Sequence, residues 1–413
     1  MSDIQVQVGA DRLPLPPGKP YQIKSEAEAL AIASELAAEF RLGAAKRDRD
    51  RLLPWDEIER YTRSGLGAIT IPKEYGGLGA SNETLAKVFI TICAVDPSLG
   101  QIPQNHFALI QTIKDLGTEA QKKRWFDDVL AGNRLGNAGP EKKSVAAKIQ
   151  DATVKLTQTP EGLRASGTRY YSTGSLYAHW VPLRAADEQG RPILIRVRRD
   201  APGLKVVDDW SSFGQKTTAS GTVILDKAPV AAEDVIEVWK FADVPTLSGP
   251  VSQLVQASID TGIALGAFAE ALDFVREHSR PWLDSGVAQA VDDPYIIHDV
   301  GALQIQVHSA EEATLAAARL IDELGREPVS AEGSARASAA IAVAKVLTVE
   351  AALDVSEKLF ELAGSASTRA TYNLDRHWRN ARTHTLHDPV RWKFHLLGNY
   401  LLNGVLPKRH QWN

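Results

Sequence analysis

Residues 152–173 read ATVKLTQTPEGLRASGTRYYST. They hold two short runs, ATVKLTQT and LRASGTRYYST, rich in β-branched and aromatic residues, which read as strands. Working outward, PILIRVRRD (192–200) and SGTVILDKA (220–228) have the same character. Turn signals at 187–190 and at Pro202 and Gly203 separate them. About 100 residues, from near Leu135 to near Val235, therefore read as antiparallel β structure.

On both sides of this block the hydrophobic period is helical. Residues 26–41 place Leu30, Ile32, Leu36 and Phe40 on one stripe. Asn82 is expected to cap a helix running through Leu85, Val88 and Ile92. Pro97 and Ser98 interrupt, and a helix through Phe107, Leu109, Ile110 and Ile113 follows. Thr118 opens another, with Trp125, Val129 and Leu130. Past residue 250, long helices fit 251–278, 293–324 and 335–362, the last stopped by Gly364. A final helix is expected to start at Pro389, whose fixed φ suits the first turn. The expected organisation is an irregular arm (1–24), a helical domain (25–131), a β domain (132–240) and a helical bundle (241–413).

The 44% hydrophobic and 24% charged fractions are those of an ordinary globular protein, and a net charge of −4 argues against nucleic acid as a partner. No stretch approaches the roughly 20 apolar residues of a membrane span. The polar, Pro-rich start lacks an apolar signal core, so a cytoplasmic location is expected. Cys93 is the only cysteine, which excludes an internal disulfide, and no Cys/His cluster suggests a metal site. Met1 is the only methionine, where a chain of this size would carry on the order of fifteen sulfur-containing residues. Compositional drift accounts for this, or else synthesis under sulfur scarcity.

PKEYGGLGAS (72–81), GTRYYSTGSLYAHW (167–180) and RHWRNARTHTLHDP (376–389) carry a resemblance in that order and spacing. They are similar to the Tyr-Gly-Gly turn, the flavin-side strand and turn, and the Arg-Asp-Ala-Lys segment of the acyl-CoA dehydrogenase fold. The resemblance runs from about residue 25 nearly to the end. It implies a mainly α chain with a central β domain and a C-terminal four-helix bundle.

The chemistry departs from dehydrogenation. The dehydrogenases remove an α-proton with a glutamate eight residues before the arginine of that segment. Counting back from Arg379 reaches Thr371, whose hydroxyl cannot be that base near neutral pH. Some members carry the glutamate on the first long bundle helix, where residues 250–266 offer only Asp260, out of step. Two histidines stand nearby instead, His384 and His387, in THTLHDPVRWK. With DPSLGQIPQN (96–105), WSSFGQKTTASGT (210–222), SRPWLDSG (279–286) and LLGNYLLNG (396–404), this resembles the dibenzothiophene monooxygenase group and the SfnB-type sulfur-acquisition oxidoreductases.

That resemblance implies a two-component monooxygenase. Its reduced FMN would come from a separate flavin reductase, O2 would be the co-substrate, and FAD is the alternative flavin. No Gly-x-Gly-x-x-Gly fingerprint suggests an internal nicotinamide site. Oxygen would add to the flavin C4a, and the resulting hydroperoxide would oxygenate a small organosulfur compound. His387 is the candidate for handling the proton, because imidazole titrates near working pH. His384 would orient it or touch the flavin. Asn137 would reach a flavin or substrate oxygen, and Ser172, Thr173 and Gly174 would lie near the flavin N5. Arg280, with Gly364 and Ser365, would hold the phosphate. Asn105, Trp210 and Phe213 would border the substrate. A structural role stays open for each: paired histidines beside Asp388, turn-forming polar residues, a surface arginine, aromatic residues packing the β domain. Where the relatives read Asn-Ala-x-Ser-Glu, this chain reads NAGPE (137–141), and Pro140 removes a hydroxyl and an amide donor.

The resemblance also implies a homotetramer, consistent with the apolar tail LLGNYLLNGVLPKRHQWN. Other readings are a flavin N- or aryl-hydroxylase, an acyl-CoA dehydrogenase with a relocated base, and a flavin-binding protein without catalysis.

Overall fold

The computed structural model describes residues 12–140 and 154–413. The expected arm before Ser25 is described only from residue 12, where it has no regular secondary structure up to α1. Glu141 and the Lys142–Lys143 pair lie outside the described residues.

Among the described residues six α-helices come first: α1 (Glu26–Asp50), α2 (Trp55–Arg63), α3 (Asn82–Cys93), α4 (Pro97–Gln101), α5 (Gln104–Leu116) and α6 (Glu119–Leu130). The expected cap on α3 moves by one residue. Ser81 accepts from the Thr84 N–H, and Asn82 is already helical. Pro97 does not merely interrupt but opens α4, capped by Asp96. Thr118 caps α6 in a full capping box with Gln121.

Seven strands follow among the described residues: β1 (Lys155–Thr159), β2 (Gly162–Arg169), β3 (Trp180–Ala186), β4 (Pro192–Arg198), β5 (Leu204–Val207), β6 (Thr222–Val230) and β7 (Val235–Ile236). They form one sheet in the order β5-β6-β2-β1-β3-β4-β7. The expectation of purely antiparallel pairing fails at β3, which Leu135 and Ala138 also bridge in parallel. β1 meets β3 in parallel at Lys155 and Ala186, because the chain crosses β1 and β2 before β3 returns beside β1.

The C-terminal half consists of α7 (Ser248–His278), α8 (Pro294–Leu324), α9 (Ala331–Ala363), α10 (Asp375–His384) and α11 (Arg391–Asn403). Pro389 lies in the turn before α11 and not at its first position; its carbonyl accepts from the Trp392 N–H. α7 packs on α8 and α9, α11 lies along α9, and α3 seats on α7 and α8. α7 is buried on nearly all faces from Ser248 to Ala264, so its polar residues there must find partners inside the protein. α10 is fixed from two sides. Arg379 pairs with Asp48 of α1 at 2.7 Å, and His377 meets Glu270 of α7 at 2.6 Å.

Candidate active site

A cavity of about 1040 Å³ opens where the helical domain, the sheet and the bundle meet. Four segments reach it for local reasons. Residues 135–138 run beside β3 through bridges Leu135–Trp180 and Ala138–Leu183, which turns Asn137 to the cavity. That approach requires Gly136, since a Cβ there would lie 2.7 Å from the Ser175 Cα. The loop after β5 brings Trp210, Phe213 and Gln215 to the wall. It is stitched to α10 by the Gln215 N–H, which donates to Asn380 Oδ1 at 2.7 Å, and by Arg379, which donates to the Phe213 carbonyl at 2.9 Å. The end of α10 supplies His384, the turn after it supplies His387, and residues 405–413 close one side.

His384 is buried and engaged at both ring nitrogens, with Nδ1 2.6 Å from Asp260 Oδ1 and Nε2 2.9 Å from Gln256 Oε1. Burial holds its pKa down despite the carboxylate, so the ring is neutral. A neutral ring with its proton on Nδ1 needs a donor at Nε2, which the Gln256 amide supplies in its other orientation. The third partner is Lys345, whose ammonium donates to Asp260 Oδ2 at 2.6 Å. Burial pushes the Asp260 carboxyl up, but Lys345 and His384 more than offset it and keep it ionised.

His387 stacks on that ring, with centroids 6.3 Å apart and planes at 27°, and lines the cavity. Its Nδ1 lies 3.2 Å from Asp388 Oδ1. Asp388 is buried, yet its bond to His387 and the charges of Lys345 and Lys393 hold its carboxyl well below the usual range. Lys393, 3.8 Å from Asp388 and bonded to the Trp412 carbonyl, is held down by burial to about 8. Among the described residues, Asp388 is the only acidic side chain on the cavity wall.

The structure brings together most of the expected site residues. Asn137, Thr173, His384, His387, Asn105, Trp210 and Phe213 all line the cavity. Thr173 bonds Ser220 at 2.6 Å, and Ser220 bonds Thr218 at 2.8 Å. Ser172 and Gly174 flank Thr173 but face away from the wall; the Ser172 N–H donates to the Gly221 carbonyl and Gly174 sits at φ +80°. Arg280, Gly364 and Ser365 do not line it either, and Arg280 is exposed just beyond α7. Pro140 does line the wall, and its carbonyl accepts from the Tyr170 N–H. Thr371 is exposed and away from the cavity, and Asp260 is sealed beneath His384, so neither can act as a dehydrogenase base.

Reading the sequence missed Gln215, Gln256, Lys345 and Lys393, and it weighed Asp260 only as a base out of step, not as the partner of His384. Gln215 is 1% exposed and on the wall, and neither polar atom of its amide has a partner among the described residues. Gln101 and Gln104 each present a buried carbonyl oxygen in the same state. Lone polar residues in helices and loops carry no period, so no sequence signal marks them.

Family models for the N-terminal and C-terminal domains of acyl-CoA dehydrogenase match residues 26–133 and 254–392. The dibenzothiophene monooxygenase of Mycolicibacterium goodii is 32% identical, covering 92% of this chain and 94% of its own. A probable FMNH2-dependent monooxygenase, SfnC of Pseudomonas putida, is 30% identical over 92% of this chain and 96% of its own. FMN-bound TdsC of Paenibacillus sp. A11-2 superposes with a TM-score of 0.88 at 31% identity, covering 93% of this chain and 100% of its own. Methanesulfinate monooxygenase MsuC of Pseudomonas fluorescens gives 0.87 at 30% identity, covering 93% and 99%. Fold and cavity together define a flavin-dependent oxidoreductase. The chain belongs to the acyl-CoA dehydrogenase family, on the branch of its FMN-dependent monooxygenases.

The residues on the wall fit FMN. The pyrimidine edge of an isoalloxazine alternates acceptors with one N–H donor, and an amide such as Gln215 offers both functions. Gln101, Gln104, Asn137 and Thr173 add neutral polar groups without a competing charge.

Proposed function

We propose that this protein oxygenates the sulfur of a small organosulfur compound, using reduced FMN delivered by a separate reductase. The observation that carries the reading is the cavity wall. Among the described residues it presents imidazoles, amides and hydroxyls, and its one acidic side chain, Asp388, is tied to His387 and Lys393. Such a wall can give and take a proton at an imidazole but has, among the described residues, no free carboxylate to abstract one from carbon.

Bound reduced FMN supplies the electrons that activate dioxygen. His387 holds or releases the proton at Nε2, because Asp388 occupies Nδ1. Asn137, Thr173 and Gln215 bind and orient. Trp210, Phe213, Trp392 and Trp412 exclude water and offer an apolar face to a thioether, thiophene or sulfinate carbon skeleton. The dibenzothiophene and methanesulfinate monooxygenases among the relatives support sulfur as the acceptor, as does the near absence of sulfur from the chain itself.

We further propose a homotetramer working in the cytoplasm. Trp282, Leu283 and Tyr295, close in sequence to Arg280, are exposed, as are Leu401 and Leu402 on α11. An apolar surface of that extent suits burial against other copies. Arg280, Gly364 and Ser365, absent from the cavity of their own chain, would then reach the flavin phosphate of a neighbour. Light scattering tests the assembly.

The test of function is anaerobic mixing with reduced FMN followed by oxygen in a stopped-flow. A transient absorbing species distinct from reduced and oxidised flavin is expected, shorter-lived in His387→Ala, together with oxygenated product from an organosulfur panel. Immediate reoxidation without a transient, with flavin bleaching by an acyl-CoA, would overturn the proposal.

A further inference from the structure

Beneath the cavity the same three-residue unit occurs twice. Lys345–Asp260–His384 is fully buried, with both contacts at 2.6 Å. Lys393–Asp388–His387 faces the cavity, with contacts of 3.8 Å and 3.2 Å. In each, a lysine neutralises an aspartate that accepts a hydrogen bond from the Nδ1–H of a histidine. The two rings stack on each other, and the His387 N–H donates to the His384 carbonyl at 2.9 Å.

The inner unit is hard to explain by stability alone. Burying an ion pair at 1% and 0% side-chain exposure is no better for folding than packing apolar residues there. Nor can the inner unit trade protons with a ligand, since both His384 nitrogens are engaged. Its effect is electrostatic. Asp260 without Lys345 would be a bare carboxylate against the His384 Nδ1–H, and the Gln256 amide could then turn its oxygen to Nε2, the arrangement that favours an imidazolium. A cation on the His384 ring would then sit against His387.

Resting on the monooxygenase reading, we propose that Lys345 is a positioning residue whose charge occupies Asp260 and keeps His384 neutral, so that His387 alone exchanges a proton at the cavity. The groups facing this pair are Asp260 from α7, Lys345 from α9, Asp388 from the turn after α10, Lys393 from α11, and Lys408 and His410 from the C-terminal segment. The charges within the two units balance, two lysines against two aspartates, only while both histidines are neutral.

The experiment uses protein labelled with 15N-histidine, free of flavin, followed by pH–rate profiles of the reconstituted enzyme. Ring 15N shifts should show His384 as the neutral Nδ1–H tautomer at pH 7. In Lys345→Met it should be doubly protonated. The pH limb carried by His387 should then move toward acid by about one to two pH units, the effect of a like charge at that separation. The double variant Lys345→Met/Asp260→Asn removes both charges and should return His384 to neutrality and the limb to its original place. A merely structural pair would leave the limb unmoved or damage both variants alike. A doubly protonated His384 in the unmodified protein, or a neutral one in Lys345→Met, would overturn the inference. Should Lys345→Met fail to fold, the unmodified spectrum still decides. The spectra need no turnover, so failure of the proposed activity is distinguishable from failure of this inference.

Discussion

Replacing Gln215 with methionine should make the flavin-free protein more stable and its flavin binding weaker. Gln215 is 1% exposed, and both polar atoms of its side chain lack partners among the described residues. An unpaired buried polar atom costs about 1–3 kcal/mol, part of which cavity water recovers. Methionine has the same length, is unbranched at Cβ, and so tolerates the φ of 48° about as well as glutamine. The bonds that hold the loop are made by the Gln215 backbone and survive: its N–H to Asn380, its carbonyl from Trp210 Nε1 at 2.8 Å. The flavin-free variant should therefore gain about 2 kcal/mol. With FMN, two hydrogen bonds of about 1 kcal/mol each are lost, and the ligand edge is left unpaired as well. That corresponds to roughly 30–100-fold weaker binding. Urea denaturation of the flavin-free protein and a fluorescence titration with FMN read the two quantities separately. A variant that is less stable without flavin and binds FMN with unchanged affinity would refute the reasoning, because Gln215 would then be a packing residue.

The other expectations follow from single distances and one titration. Gly214→Ala puts a Cβ 1.9 Å from the Arg379 carbonyl oxygen. The loop must retreat and break its bonds to Arg379 and Asn380, at a cost of about 3 kcal/mol read as a lower urea midpoint. Flavin affinity should fall with it, whereas Gly301→Ala, with open space around it on α8, should be neutral or gain up to about 1 kcal/mol. His106 is buried, with Nε2 donating to the Gly67 carbonyl and Nδ1 accepting from the Leu135 N–H, and burial pushes its pKa from 6.5 down to about 4. The unfolded chain takes up that proton first. Stability is thus fully present above pH 6.5 and falls as the pH drops toward about 4, by about 2 kcal/mol at pH 5. Urea melts at pH 7 and pH 5 measure this, and a pH-independent midpoint would contradict it.

The sequence made part of the cavity wall legible, through resemblance and not through physics. His384, His387, Asn137, Thr173, Trp210 and Phe213 stand in stretches whose order and spacing match a known scaffold, and all of them reach the wall. The same resemblance points to Arg280, Gly364 and Ser365, but they lie away from the wall, just beyond α7 and just beyond α9.

What the sequence determined by itself is periodicity and its changes. A strand block set between two helical regions follows from side chains repeating at two or at 3.6 residues, because each period decides which face can be buried. Caps and stops such as Thr118 and Gly364 follow from local backbone chemistry, which extends no further than a turn. Only the tertiary structure decided the rest. β1 pairs with β3 in parallel because of how the sheet closes, not because of any residue in either strand. Asp260, Lys345 and His384 are separated by 85 and 39 residues and share no local pattern. They meet because α7, α9 and α10 pack side by side, and a buried charge must find its partner wherever packing puts one.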